Sequence, residues 1–347
     1  MKYKTLKNGL SILYHHMPNT HSVTMGLYIK AGAGYGETEG IAHFLEHLHF
    51  RRMGNLSQRE LYYEMECLGS TLRAKTYRDF MCFWMKVIPE KHKECLNLFV
   101  KLFEDNQCTK EEFEKEKQVV INQILEKGDF VSIEEETRNV IFKDHDLSRS
   151  IMGNPETIEL LDQKHMQEYK RRVFFPENML FCVTGNVRED AFENVRDILE
   201  KIPVSEPGEV RKIEIPKCFY SRKPDISFLE IDDNAPLDLN ISFDAAYDCE
   251  TKILLTILNC ILGEGVGSRL QKIIREEKCY ASDIASYIEW YQNFAVLHIR
   301  CSVDKDNFTD CLADIVDILK KMKSTINKQD LDVSLPFYTS NRIFFGG

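Results

Sequence analysis

The sequence has no long apolar run, no cluster of basic residues and no closely paired cysteines, and each absence removes a class of function. No stretch approaches the ~18 consecutive apolar residues of a membrane-spanning helix, and no charged n-region followed by an apolar h-region opens the chain. A soluble, cytoplasmic protein with no membrane partner is expected. Lys and Arg number 45 against 55 Asp and Glu, for a net charge of −10, and they are not gathered into a patch. Nucleic-acid affinity rests mainly on neutralising backbone phosphate, so no nucleic-acid partner is expected. The run Lys110 to Lys117 (KEEFEKEK) mixes both signs and reads mostly as a solvated helix face. The 11 cysteines stand singly, without a CxxC pair and mostly in apolar runs, as reduced core thiols do. At 347 residues the chain can bury two ordinary cores without disulfides.

What the sequence does contain is GIAHFLEHLHF at Gly40 to Phe50. On a helix, residues four apart stack on one face, so His43 and His47 can aim two imidazoles at one point while Glu46 sits beside them. Zinc accepts neutral imidazole nitrogens in a tetrahedral shell, and a catalytic site leaves one position for a water that a nearby carboxylate can deprotonate. Glu46 stands where that base is needed. For an H-x-x-x-H pair alone, an amphipathic helix with two incidental histidines is the competing reading; the embedded glutamate and the flanking segments weigh against it.

Around this motif the chain reads as α+β in layers. Strand-like segments precede it, to Gly9, at Leu10 to Tyr14 and at Val23 to Ile29, and Gly32, Gly34 and Gly36 then break the pattern. Ser57 to Leu68 is a helix with Ser57 and Glu60 as a capping box. Thr71 to Val87 is a hairpin turning at Tyr77 to Asp79, and helices follow at Pro89 to Phe103, Lys110 to Lys127, Thr137 to Lys143 and Thr157 to Val173. Met179 to Thr184 is a buried strand. Val204 to Lys212 reads as a linker, which divides the chain into domains 1–205 and 213–347. Beyond it the order recurs weakly: strands at Ile226 to Ile231 and Asn240 to Phe243, a helix at Thr251 to Leu262, a Gly-rich turn, a second helix to Glu277, then strands at Tyr280 to Trp290 and Phe294 to Ser302. The segment before Gly347 shows no clear helix, and the second copy reads as incomplete.

The motif, its flanks and the duplicated order together resemble the inverted-zincin metallopeptidases of the pitrilysin and insulysin family, most closely the mitochondrial processing peptidase-like branch. The blocks that carry the resemblance are LKNGL (Leu6 to Leu10), GIAHFLEHLHF, LGSTLRAKTYRD (Leu68 to Asp79), FFPENMLFCVTGNV (Phe174 to Val187) and GEGVGSRLQKIIREE (Gly263 to Glu277). The resemblance implies two related α+β domains, each a largely antiparallel sheet covered by helices, enclosing a chamber with zinc on the first-domain helix. A peptide is the implied substrate, lying along an edge strand at Thr71 to Thr76, with Arg73 and Ala74 as contacts; many family sequences have Asn where this one has Arg73. The family's third ligand is a glutamate roughly 75 residues after the second histidine. That position falls on Gln123, with Glu116 matching the acidic residue two helical turns before it and Glu126 as the fallback ligand. Arg275 and Tyr280 match the family's second-domain substrate contacts, with a clipped turn between them; a surface helix end followed by a strand is the competing reading.

Two functions are therefore open. In the first the chain is a zinc endopeptidase with Glu46 as general base. In the second it is a non-catalytic or weakly metallated relative that binds peptide or supports an active subunit. Either reading anticipates a dimer, with itself or with a related chain.

Overall fold

The structure, a computed structural model, describes residues 1–105, 108–126, 132–203, 223–228, 236–291 and 294–344. Its contacts divide the chain into two units, Met1–Asp129 with Asp144–Glu214, and Phe130–Lys143 with Ile215–Gly347. The anticipated linker Val204 to Lys212 lies outside the described residues. Among those described, no helix is long and apolar enough to cross a membrane.

In the first unit the strands are β1 (Lys2–Thr5), β2 (Ser11–His16), β3 (Val23–Ile29), a short ribbon of β4 (Arg52–Met53) and β5 (Leu56–Ser57), then β6 (Arg73–Thr76), β7 (Met81–Val87) and β8 (Met179–Gly185). All but the ribbon join one sheet in the order β1-β2-β8-β3-β7-β6. Neighbours run antiparallel except β2 and β8, which pair in parallel, so the sheet is largely antiparallel, as expected, with one parallel pair. Pairing across such a sequence separation leaves no local signature. Alternation along β3 and β7 buries Met25, Leu27, Phe83 and Met85 on one face and turns Tyr28 and Lys86 outward.

The helices of this unit are α1 (Ile41–Arg51), α2 (Gln58–Cys67), α3 (His92–Val100) and α4 (Lys110–Glu126), with α6 (Pro155–Glu159), α7 (Gln163–Val173) and α8 (Glu189–Leu199) after the excursion of α5 (Ile133–Ile141) into the second unit. Phe44 of α1, Phe99 of α3, Phe113 of α4 and Tyr169 of α7 join Phe181 of β8 in a single core. Each such side chain contributes roughly 1.5–3 kcal/mol when removed from water. This core fixes α1 against the sheet. The Ser57–Glu60 capping box is present: the Ser57 N–H donates to Glu60 Oε2 at 2.8 Å.

The second unit has a three-stranded antiparallel sheet, ordered β10-β11-β9, of β9 (Leu237–Ala245), β10 (Ala281–Trp290) and β11 (Ala295–Val303). Ile284, Ile299 and Val303 pack there with Leu262, Leu270 and Ile315. Besides α5, the unit's described α-helices are α9 (Cys249–Asn259), α10 (Phe308–Thr325) and α11 (Lys328–Phe344), with π-helical segments at Cys260–Glu264 and Gln271–Glu277, the latter being the anticipated second helix. α10 and α11 overturn the expectation of no clear helix near the C-terminus. The period was present, since α10 buries Cys311, Ile315, Ile318 and Met322. Ile226 to Phe228, expected to begin a strand, are exposed and outside any element.

α5 also departs from the expected division, which left it in the first domain. It packs on the second sheet through polar groups: Arg138 pairs with Glu289 at 2.7 Å, Glu134 with Arg300, and Asn240 Nδ2 donates to Thr137 Oγ1 at 2.9 Å. Hydrophobic periodicity does not report such contacts.

Candidate metal and catalytic centre

α1 begins at Gly40, whose φ of 83° lies in the left-handed region. A Cβ there would fall 2.5 Å from the carbonyl oxygen of Met152, so the helix entry accepts only glycine. From that start, Ile41, Ala42, Phe44, Leu45, Leu48 and His49 turn into the core, and His43, Glu46 and His47 share the half-buried stripe left over. The His43 and His47 rings lie 4.7 Å apart between centroids at 68°. His49 is a different case: fully buried, stacked on Phe174 and donating from Nδ1 to the Leu45 carbonyl at 2.8 Å.

Two neighbours organise the stripe. The buried Glu116 of α4 accepts a hydrogen bond from His47 Nδ1 at 2.9 Å, and Arg51 approaches its other oxygen at 3.9 Å. A carboxylate accepts only, so Nδ1 carries the proton and the Nε2 lone pair is left for a ligand. On the other side Thr76 Oγ1 donates to Glu46 Oε2 at 2.6 Å. Burial pushes the Glu46 pKa up, and the Thr76 hydrogen bond and nearby His47 draw part of that shift back. A carboxylate whose proton affinity is raised in this way suits general-base work near neutral pH.

The structure thus brings together His43, Glu46, His47 and Glu116. It adds Thr76, which the sequence reading left without a role; its signal was the alternation in RAKT, which turns Thr76 inward. Gln123 and Glu126 are exposed on the last turns of α4, and neither bonds to either histidine among the described residues. Among the described residues no three His, Cys, Asp or Glu side chains are arranged to hold a metal. The reason is angular: α4 spends its inward face on Phe113, Glu116, Val120 and Ile121. The histidine pair, with a carboxylate behind one ring, fits two positions of a zinc shell; among the described residues no third anionic ligand joins them. Arg73 and Ala74 lie on β6, one of the sheet's two edge strands. In the second unit Arg275 is exposed and reaches back to Gln271 Oε1 at 3.4 Å. Tyr280 directly precedes β10 and packs on that unit's core.

Residues 11–155 match the model of the insulinase family, peptidase family M16, and residues 161–334 match that of the peptidase M16 inactive domain. The chain belongs to the M16 peptidase family. Among its M16 relatives is a Rickettsia bellii protein described as an uncharacterized zinc protease, 28% identical over 333 residues, which are 94% of this chain and 79% of that protein. The mitochondrial-processing peptidase subunit beta of Neurospora crassa is 27% identical over 247 residues, 67% of this chain and 49% of that protein. In fold, the M16 chain is similar to the crystal structure of a protease from Helicobacter pylori, with a TM-score of 0.87 at 22% identity, covering 99% of this chain and 84% of that one.

Proposed function

We propose that this M16 chain is a zinc-dependent endopeptidase acting on peptides or unfolded segments. The observation that supports it most is Glu46, half-buried between two histidines and held by Thr76, with Glu116 behind His47. His43 and His47 would hold the metal; the exposed Gln123 would have to turn inward to offer its amide oxygen as third donor. Zinc supplies Lewis acidity toward water and the scissile carbonyl when bound. Glu46 takes the proton from the attacking water and returns it to the leaving amine, while Thr76 keeps the carboxylate in one orientation. The free edge of β6 offers backbone donors and acceptors to an extended peptide.

A second reading, a non-catalytic member that binds peptide, is favoured by one observation, a glutamine at position 123, where the family resemblance puts the third ligand. Wild-type protein and Glu46→Gln separate the two. On the first reading both retain about one zinc per chain after dialysis, and only the wild type cleaves an unstructured peptide. Failure of the wild type to keep zinc or to cut any peptide supports the second. The Neurospora relative is by name one subunit of an assembly, and we extend the proposal to a dimer of this chain with itself or a related chain. A monomer by light scattering with full activity would remove that extension.

A further inference from the structure

The β6 edge of the first sheet, one of its two edges, carries a charge opposite to that of the chain. β6 ends the strand order and pairs only with β7, so no strand covers its other edge among the described residues, where the Thr76 backbone reaches Glu46. Along β6 the side chains of Arg73 and Lys75 are exposed, Ala74 is half-buried and Thr76 is buried. Arg73 lies opposite Trp84 and Lys75 opposite Cys82, and alternation along β7 sets the exposed Lys86 on the same face. None of the six strands contains Asp or Glu, in a chain with 55 of them. Lys75 rests its ammonium 4.7 Å from the Tyr77 ring centroid, and neither it nor Arg73 has a carboxylate partner among the described residues.

Edge strands commonly carry a lysine to discourage pairing with other chains. One lysine achieves that. Here three cations share a face to which the strands contribute no acid, and the opposite face of the same four-residue strand holds Glu46 through Thr76. We propose that β6 selects extended peptides with acidic side chains at alternate positions, Arg73 and Lys75 being the specificity-determining residues. The proposal rests on the peptide-binding part of the reading above and names its substrate class. A peptide added to this edge sets every second side chain directly across from Arg73 or Lys75, within reach of an ion pair. The intervening side chains meet Ala74 and Thr76, on the side of Glu46.

The test measures binding by the full chain, using fluorescence anisotropy of three labelled twelve-residue peptides that differ only at alternate positions, in Glu, Gln or Lys. Glu46→Gln protein serves alongside wild type so that turnover does not obscure affinity. The Glu peptide should bind about five- to tenfold more tightly than the Gln peptide, with the Lys peptide weakest, and the differences should shrink as salt is raised. In Arg73→Gln/Lys75→Gln, checked for unchanged circular dichroism and melting, the Glu and Gln peptides should converge. Equal binding of all three, binding of none, or a preference that survives the double variant overturns the proposal. Tight binding of the Glu peptide with no cleavage by wild type would refute hydrolysis and leave the selectivity standing; cleavage without charge preference would do the reverse.

Discussion

Glu116 offers the sharpest perturbation of the candidate centre because it would act on a bound metal only through His47. Its side chain is 8% exposed and its oxygen lies 2.9 Å from Nδ1, so solvent screens the contact little. Glu116→Gln keeps an acceptor for the Nδ1 proton and removes the charge; Glu116→Ala removes both. Carboxylates in this position raise imidazole basicity and fix ring orientation, and their loss typically costs about 10–100-fold in metal affinity, or roughly 1.4–2.7 kcal/mol. Glu116→Gln should lie near the lower bound and Glu116→Ala near the upper. Without metal the stability change of Glu116→Gln should stay near 1 kcal/mol or less, because the Arg51 contact is long, at 3.9 Å, and Arg51 is partly solvated. Zinc titration against a chromophoric chelator reads the first quantity and urea unfolding of the metal-free protein the second. If both variants bind zinc within about twofold of wild type while His47→Ala binds none, Glu116 does not orient the ligand.

Further outcomes follow from the same geometry. Gln123→Glu adds a negative charge to the donor set and should raise zinc affinity in the same titration; no change there would exclude position 123 as a ligand. Thr76→Val removes the donor to Glu46 and should lower kcat more than it raises KM for any peptide that is cut, and an unchanged kcat would release Thr76 from that role. In the second unit burial would raise the Glu289 pKa, but His298 and Arg138 more than offset this and hold it well below the usual range. The ionised form is therefore favoured by folding, and that stability is present above the unfolded value of about 4.3 and lost as pH falls below it. Glu289→Gln should cost about 1–3 kcal/mol at pH 7, with the gap to wild type closing in acid. A gap that stays constant down to pH 3 would show that packing, not charge, sets the loss.

Local chemistry was the legible part of this chain. The Ser57–Glu60 box, the turn at Tyr77 to Asp79 and the shared stripe of His43, Glu46 and His47 each depend on residues within a few positions of one another. Glu116 was reachable through its match to a family pattern, two turns before Gln123. The remainder was not local. The Glu46–Thr76 bond joins residues 30 apart, and α5 is drawn to the second sheet by Arg138, Thr137 and Glu134, whose partners lie about a hundred residues or more away. α10 was legible and missed, since its buried positions keep a helical period; α11 carries an internal Pro336, which blurs its pattern.

The insertion of β8 between β2 and β3 bears on how the chain matures. In sequence, β2 and β3 are separated only by residues 17–22, yet in the sheet they are held apart by a strand that begins at Met179. Contacts this distant are slow to form, because a long loop must close before they contribute. During synthesis the zinc-motif helix emerges well over a hundred residues before the sheet beneath it can close. Until then two central strands expose unpaired edges and their apolar faces, the state most prone to pairing with other chains. A fragment ending before Met179 should therefore be insoluble even though it contains the whole H-x-x-E-H helix, and ribosome-bound chains should become protease-resistant only after Gly185 has cleared the exit tunnel.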